Sequence, residues 1–263
     1  MERFSASELE QRLAGVTIGS RIHFLESTDS TNTVALDRAN AGAAEGEVVI
    51  ADQQLQGRGR VAGRRWQSPP GRNLYASVIL RPPLRPEKAA SITLMTGVAV
   101  AEVLDRFCPG RVTLKWPNDV LIDGKKVSGV LTEMRMKDNK IDCVIVGIGV
   151  NILMERDEFD PLLRNQATSI LEAARELPDR VEVTTDILRS LDFWYSLLIE
   201  RGFAPVRERW TQFAAVTGKQ VIVENRGARE SGLVLGIDED GTLLLENEEG
   251  GVTRVLSGDV TIQ

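Results

Sequence analysis

Residues 57–66 read GRGRVAGRRW, with four arginines, three glycines and no carboxylate. From Gln53 to Pro86 there are seven arginines and neither a lysine nor an acidic residue. The whole chain of 263 residues is acidic, with a formal net charge of −6, so this stretch is a local electrostatic exception. Guanidinium groups grip phosphate and carboxylate through paired, planar hydrogen bonds that a lysine ammonium cannot copy. Glycines between them let a backbone approach a ligand closely and change conformation. Three readings compete: a solvated loop, a nucleic-acid patch with Trp66 as a stacking platform, and a clamp on a small anion. The net negative surface opposes a polyanionic partner. The all-arginine composition argues against mere solubility, and on the loop alone the readings stay open. Four like charges here have no neighbour in sequence to pair with, so 56–65 is expected to be mobile until a ligand arrives.

Two further stretches carry chemistry. KWPNDVLIDGKKVSG (115–129) sets Lys115, Asn118 and Asp119 around a proline turn and Lys126 after a hairpin turn. A lysine near a carboxylate able to hold Mg²⁺ is what handling a nucleoside triphosphate requires. An ordinary hairpin with solvated lysines is the plainer alternative, and it is accepted for Lys125. IVGIGVN (145–151) places Gly147 and Gly149 two apart, on one face of a strand, where missing side chains would leave a ligand slot beside Asn151. A strand glycine marking a bulge is the alternative there. Neither a dinucleotide fingerprint nor a GxxxxGK[ST] phosphate loop is present. His23 is the only histidine and falls in the alternating stretch RIHFLE, which argues against Ser-His catalysis and His-ligated metals. Cys108 and Cys143 lie in apolar contexts, read as buried thiols in a reducing cytoplasm.

The elements that must position these residues are read from periodicity and turn signals. SASELEQRLAG is a short helix, with Ser5 and Glu8 in capping-box register and Gly15 as its stop. RIHFLE and EVVIADQQ are strands around the helix NTVALDRAN, and NLYASVILR is another strand. Pro86 opens an Ala-rich core helix reaching Phe107. VTLKW, DVLI, VSGVLTEMRM and IDCVIVGIGVNI form a meander. Helices around SILEAARE and TTDILRSLDFWYSLLIERG follow, the latter capped by Asp or Thr. Beyond Trp210, KQVIVENRG, SGLVLGID, GTLLLENE and GVTRVLSGDVTIQ read as short strands of a small β-barrel or sandwich, with a boundary near Val216. The expected division is 1–215 and 216–263. No signal peptide or membrane span is read, because Met1 to Gly15 lacks an apolar stretch and VIVGIGV is too short.

STDSTNT (27–33), ADQQLQGRGRVAGRRWQSPPGRNLYASVIL (51–80), KWPNDVLIDGKKVSGVLTE (115–133) and VGIGVN (146–151) together resemble the biotin protein ligases, in that family's order. The sequence departs from it at Leu55-Gln56, where many members carry small residues, and by one extra residue between Arg60 and Gly63. The resemblance implies an α+β fold: a mixed sheet with flanking helices related to the class II aminoacyl-tRNA synthetase core, then an SH3-like barrel. It further implies a short form, without the DNA-binding domain some members carry, and no nucleic-acid partner. Biotin and MgATP would give biotinyl-5′-adenylate and pyrophosphate, and a lysine of a biotin carboxyl carrier protein would then take the biotin. Ser30, Thr31, Asn32 and Gln54 would meet the ureido ring, Gly57 would permit close approach, and Leu131, Gly147 and Gly149 would shape the slot. Arg58, Arg60 and Lys126 would meet carboxylate and α-phosphate, with Arg58 and Arg60 pointing to one side, and Arg64 and Asn118 would serve the nucleotide. Trp66 would cover the adenine with Asn151 as its partner, and Asp119 would hold Mg²⁺ or orient the incoming lysine. A lipoate or octanoate transferase is the rival enzyme, but its apolar head group would not call for the polar set at 30–32 and 54. A non-catalytic biotin sensor is the rival from another class. A homodimer paired through its sheets is a further expectation of the resemblance.

Overall fold

A computed structural model of the chain describes residues 5–61, 63–174, 177–225 and 227–262. Ser5 caps the first helix, α1 (Ala6–Arg12), accepting the Glu8 N–H at 3.3 Å. Seven strands then build one mixed sheet: β1 (Arg21–Thr28), β2 (Glu47–Gln54), β3 (Leu74–Leu80), β4 (Val112–Lys115), β5 (Asp119–Ile122), β6 (Lys125–Lys137) and β7 (Lys140–Val150). Their spatial order is β1-β2-β3-β7-β6-β5-β4. Only β1 and β2 run parallel, since the helix α2 (Thr31–Asn40) carries the chain back between them.

Alternation along the strands decides what each face packs against. Val48, Ile50, Val78, Val144, Val146 and Ile148 turn to the main core, shared with α3 (Ala90–Phe107), α5 (Arg180–Arg201) and α6 (Ala204–Phe213). Val49, Ile79, Cys143 and Ile145 turn the other way, against Ala35 and Ala39 of α2. That helix is ten residues long and covers only part of its face. Beyond its N-terminus the sheet carries Tyr75, Ser77, Gly129, Leu131, Gly147 and Gly149, and there the cleft lies.

After the short helix α4 (Ile170–Ala174), α5 and α6, a second sheet holds β8 (Gln220–Asn225), β9 (Ala228–Ile237), β10 (Leu243–Glu246), β11 (Val252–Val255) and β12 (Asp259–Ile262). Its strands are antiparallel in the order β11-β10-β9-β8-β12. Trp116 Nε1 donates to the Gly241 carbonyl at 3.0 Å, and Lys88 pairs with Asp240, tying this sheet to the first. Apolar packing continues across the join through Val216, Val221 and Leu243.

Several boundaries differ from the sequence reading. The helix expected from Thr184 begins at Arg180, because Asp179 accepts the Val181 and Glu182 N–H groups at 2.7 and 3.2 Å. APVRERWTQF forms α6, a helix the reading missed although Pro205 in its first turn is a start signal. GVTRVLSGDVTIQ is two strands rather than one, broken where Gly258 adopts φ +157°. The last two residues of SILEAARE, Arg226 of the stretch KQVIVENRG and Gln263 of GVTRVLSGDVTIQ fall outside the described residues. Both cysteines are buried, which raises their thiols above the ordinary range. Among the described residues no helix is long and apolar enough to cross a membrane.

Candidate active site

The cleft opens between the large sheet, the N-terminus of α2 and the arginine loop. Its first wall is neutral and polar. Ser30 is the N-cap of α2 but makes no capping hydrogen bond, so its hydroxyl is left toward the cleft. Gln54 caps instead: its Oε1 accepts the Thr31 N–H at 2.9 Å, and its Nε2 donates to Ser68 Oγ at 3.1 Å. Ser77, wholly buried in β3, lies 2.8 Å from Thr31 Oγ1 and donates to Asn32 Oδ1 at 2.6 Å. Asn32 Nδ2 in turn donates to the Leu131 carbonyl at 3.2 Å and to Glu133 Oε2 at 2.6 Å. Each amide end therefore has a fixed role. Tyr75 closes the wall; burial pushes its phenol above the usual range, so it stays protonated and donates to the Pro69 carbonyl.

The second wall is cationic. Residues 57–61 and 63–66 lie against each other, with Gly59 N–H to the Arg64 carbonyl and Trp66 N–H to the Gly57 carbonyl, both 2.9 Å. The arginines, expected to stand unpaired, reach distant partners. Arg58 meets Glu133 at 3.1 Å, Arg60 meets Asn118 Oδ1 at 3.2 Å and the Gly258 carbonyl at 2.8 Å, and Arg64 meets Asp259 at 2.7 Å. Arg58 and Arg60 both line the cleft, yet their guanidinium groups part toward separate elements rather than one anion site. Arg64 points away, to the C-terminal sheet, and does not line the cleft.

Lys126 arrives through a local irregularity. Leu121 pairs with Lys126 but Val120 with Ser128, so Val127 is an extra residue in β6. Such a bulge re-aims the side chains beside it. Lys126 Nζ sits 2.6 Å from Asp119 Oδ1 and 5.5 Å from the centre of the Trp66 ring. Asn118 lines the cleft and donates through Nδ2 to the Val130 carbonyl at 2.8 Å.

Gly147 and Gly149 line the cleft, and their missing side chains also make room for other residues of the chain. A Cβ on Gly147 would lie 2.3 Å from Asn32 Oδ1, and one on Gly149 2.6 Å from the Trp66 indole. The space over these two residues is taken by protein side chains, which glycine admits against the sheet. Gly57 does not line the cleft; a Cβ there would meet the Trp66 carbonyl at 2.5 Å, so it allows the two arms of the loop to close. Trp66 lies over the sheet glycines, and its Nε1 is buried with no acceptor. Asn151 is not in the cleft either. It follows the end of β7 and turns inward, where Nδ2 donates to the Thr168 carbonyl at 3.0 Å and Oδ1 faces Asn73 at 3.4 Å. No group of three metal-binding side chains occurs among the described residues, and Asp119 is already held by Lys126.

The sequence reading missed Tyr75, Ser77, Gly129 and Glu133. Ser77 carried a signal, a hydroxyl inside the apolar run YASVIL. Gly129 pairs directly with Gly149 across β6 and β7, a partnership visible only once the register is known.

A cleft with a neutral polar wall and a guanidinium wall has the chemistry to receive a small ligand that is polar at one end and anionic at the other. The profile of the Biotin/lipoate A/B protein ligase family matches residues 24–151. The bifunctional ligase/repressor BirA of Bacillus subtilis is 35% identical over 260 residues, covering 99% of this chain and 79% of the relative. The biotin–[acetyl-CoA-carboxylase] ligase of Mycobacterium tuberculosis is 34% identical, covering 96% and 93%. Biotin protein ligase from Aquifex aeolicus, solved in complex with biotin and ATP, superposes with a TM-score of 0.77 at 30% identity, covering 92% of this chain and 98% of that one. The chain belongs to the biotin/lipoate A/B protein ligase family.

Proposed function

We propose that this protein is an ATP-dependent biotin protein ligase. A carboxylate oxygen of biotin attacks the α-phosphorus of ATP, pyrophosphate leaves, and biotinyl-5′-adenylate is formed. A lysine amine of a biotin carboxyl carrier protein then attacks the acyl carbon, giving the biotinyl amide and AMP. The observation that carries this reading is the meeting of two walls in one cleft. Ser30, Thr31 and Gln54 offer donors and acceptors to a neutral ureido ring, which cannot be buried unpaired. Arg58, Arg60 and Lys126 offer cations to the carboxylate and α-phosphate, where charge develops during attack.

Within this reading Trp66 covers the bound adenylate, and its unpaired indole N–H supports contact with a ligand acceptor. Asp119 holds Lys126 in place, and Mg²⁺ enters with the nucleotide, whose phosphates supply the ligands this single carboxylate cannot. The loop keeps water from an anhydride that hydrolyses readily. We take residues from Val216 onward as a separate SH3-like barrel, a reading supported by five short antiparallel strands. Pairing of two copies through the open edge at β1 and residence in the cytoplasm complete the proposal.

The deciding experiment is pyrophosphate exchange with biotin or lipoate as the acid, followed by single-turnover transfer to a carrier domain. Exchange with biotin and transfer to the carrier lysine are expected. Exchange with lipoate alone would replace the substrate, and exchange without transfer would remove the ligase assignment.

A further inference from the structure

Glu133 closes the stretch 115–133 but was given no role there, yet one of its oxygens joins the two walls. On β6 it follows Leu131 by two residues and so shares its face, while Thr132 between them reaches across to Thr93 of α3. Oε2 accepts Asn32 Nδ2 at 2.6 Å and Arg58 Nη2 at 3.1 Å. Thr33 Oγ1 stands 3.4 Å from the same Arg58 nitrogen. Asn32 and Arg58 both line the cleft, one on the neutral wall and one on the cationic wall.

Two consequences follow from that shared oxygen. An amide can turn over and exchange its donor and acceptor ends. Glu133 and the Leu131 carbonyl together fix the Asn32 nitrogen outward, so its oxygen must face Ser77. Arg58 is half-exposed, and without an anchor its long side chain would sample many rotamers. The carboxylate holds it at the cleft and offsets its charge before a ligand arrives. Anions that lack the rest of the substrate's contacts then compete with Glu133 for the guanidinium.

We propose that Glu133 is a positioning residue that sets the Asn32 amide and Arg58 together, and so screens the cleft against anions other than the substrate. This rests on the ligase reading, and wild-type pyrophosphate exchange with biotin tests that reading separately. Both hydrogen bonds fall on Oε2, so Glu133→Gln can keep them with its oxygen in that place while losing the charge. Glu133→Ala loses both.

Steady-state exchange kinetics of the two variants provide the test. Glu133→Ala should raise the KM for biotin about tenfold or more with a much smaller change in kcat, because ordering rather than chemistry is lost. Glu133→Gln should return that KM to within about threefold of wild type, yet be inhibited more strongly by inorganic phosphate, since the screening charge is gone. A biotin KM unchanged in the alanine variant would overturn the proposal. A glutamine variant as impaired as alanine would do the same, as would unchanged phosphate inhibition in the glutamine variant, a measurement that stands even where alanine prevents folding.

Discussion

Lys126 Nζ lies 2.6 Å from Asp119 Oδ1, so the ammonium is braced by a carboxylate at one side and by the Trp66 ring at the other. A cation fixed before the reaction costs nothing to reorganise when charge builds at phosphorus. Lys126→Ala should slow adenylate formation on the order of 10²–10³-fold, by analogy with the loss of one oxyanion donor. Biotin binding should change little, because the neutral wall is built from other residues. Pyrophosphate exchange beside calorimetric biotin titration checks both halves. Lost binding with normal exchange at saturating biotin would reverse the assignment.

Trp66 and Gly149 are matched in shape. A methyl at Gly149 would sit 2.6 Å from indole Cε2, its three nearest neighbours are all indole atoms, and Gly149 has ordinary strand backbone. Gly149→Ala should therefore destabilise by about 1–3 kcal/mol, the usual range for overpacking. In a Trp66→Ala background the same change should cost almost nothing. Urea unfolding of the four proteins measures this coupling. Equal costs in both backgrounds would mean that the indole does not rest on the sheet glycines.

A pH effect is expected away from the cleft. Glu47 is buried, which alone would raise its carboxyl. Hydrogen bonds from Arg38, His23 and the Ala44 N–H outweigh that and bring it down to about 2. A carboxyl depressed in the folded state stabilises fully above its unfolded value near 4.5 and ceases to do so as pH falls through 2. The contribution is on the order of 3 kcal/mol. Glu47→Gln should lower Tm at pH 6, and the difference from wild type should shrink steadily between about pH 4.5 and 2. A Tm difference that stays constant across that range would contradict the linkage.

Local pattern made most of the large sheet legible, because β2, β3 and β7 are apolar runs whose alternation shows two faces. The arginine loop and the glycine pair that reach the cleft were legible as well, since unbalanced arginines and paired glycines are rare in strands and loops, whereas STDSTNT (27–33) was legible only through the family resemblance. What could not be read was how remote residues answer one another. Gly147 appears in sequence only as a ligand slot, but it also makes room for Asn32 from another element. Arg64 appears as a ligand arginine until Asp259 is brought beside it by a second sheet. Asn151 appears as a strand-end polar group facing a ligand, whereas the strand end turns it toward Thr168. In each case the decisive term is a long-range partner set by topology.

Arg60 separates the clamp from the chemistry. Its Nε donates to Asn118 Oδ1 and its Nη2 to the Gly258 carbonyl, so one guanidinium joins the turn before β5 to the C-terminal sheet. Removing it takes away a charge-assisted contact and two tethers of the loop, while Lys126 and Asp119 stay as they are. If retention is its task, Arg60→Ala should still make the adenylate but release it about tenfold faster or more. The escaped anhydride would then acylate lysines on a bystander protein such as serum albumin, and selectivity for the carrier would fall. Were Arg60 instead to stabilise the attack on phosphorus, the same change would slow adenylate formation and leave the bystander unlabelled. Rapid-filtration measurement of adenylate release, run beside bystander biotinylation, distinguishes the two. Faster release with stray labelling is the expected result; slow synthesis with none would refute the clamp.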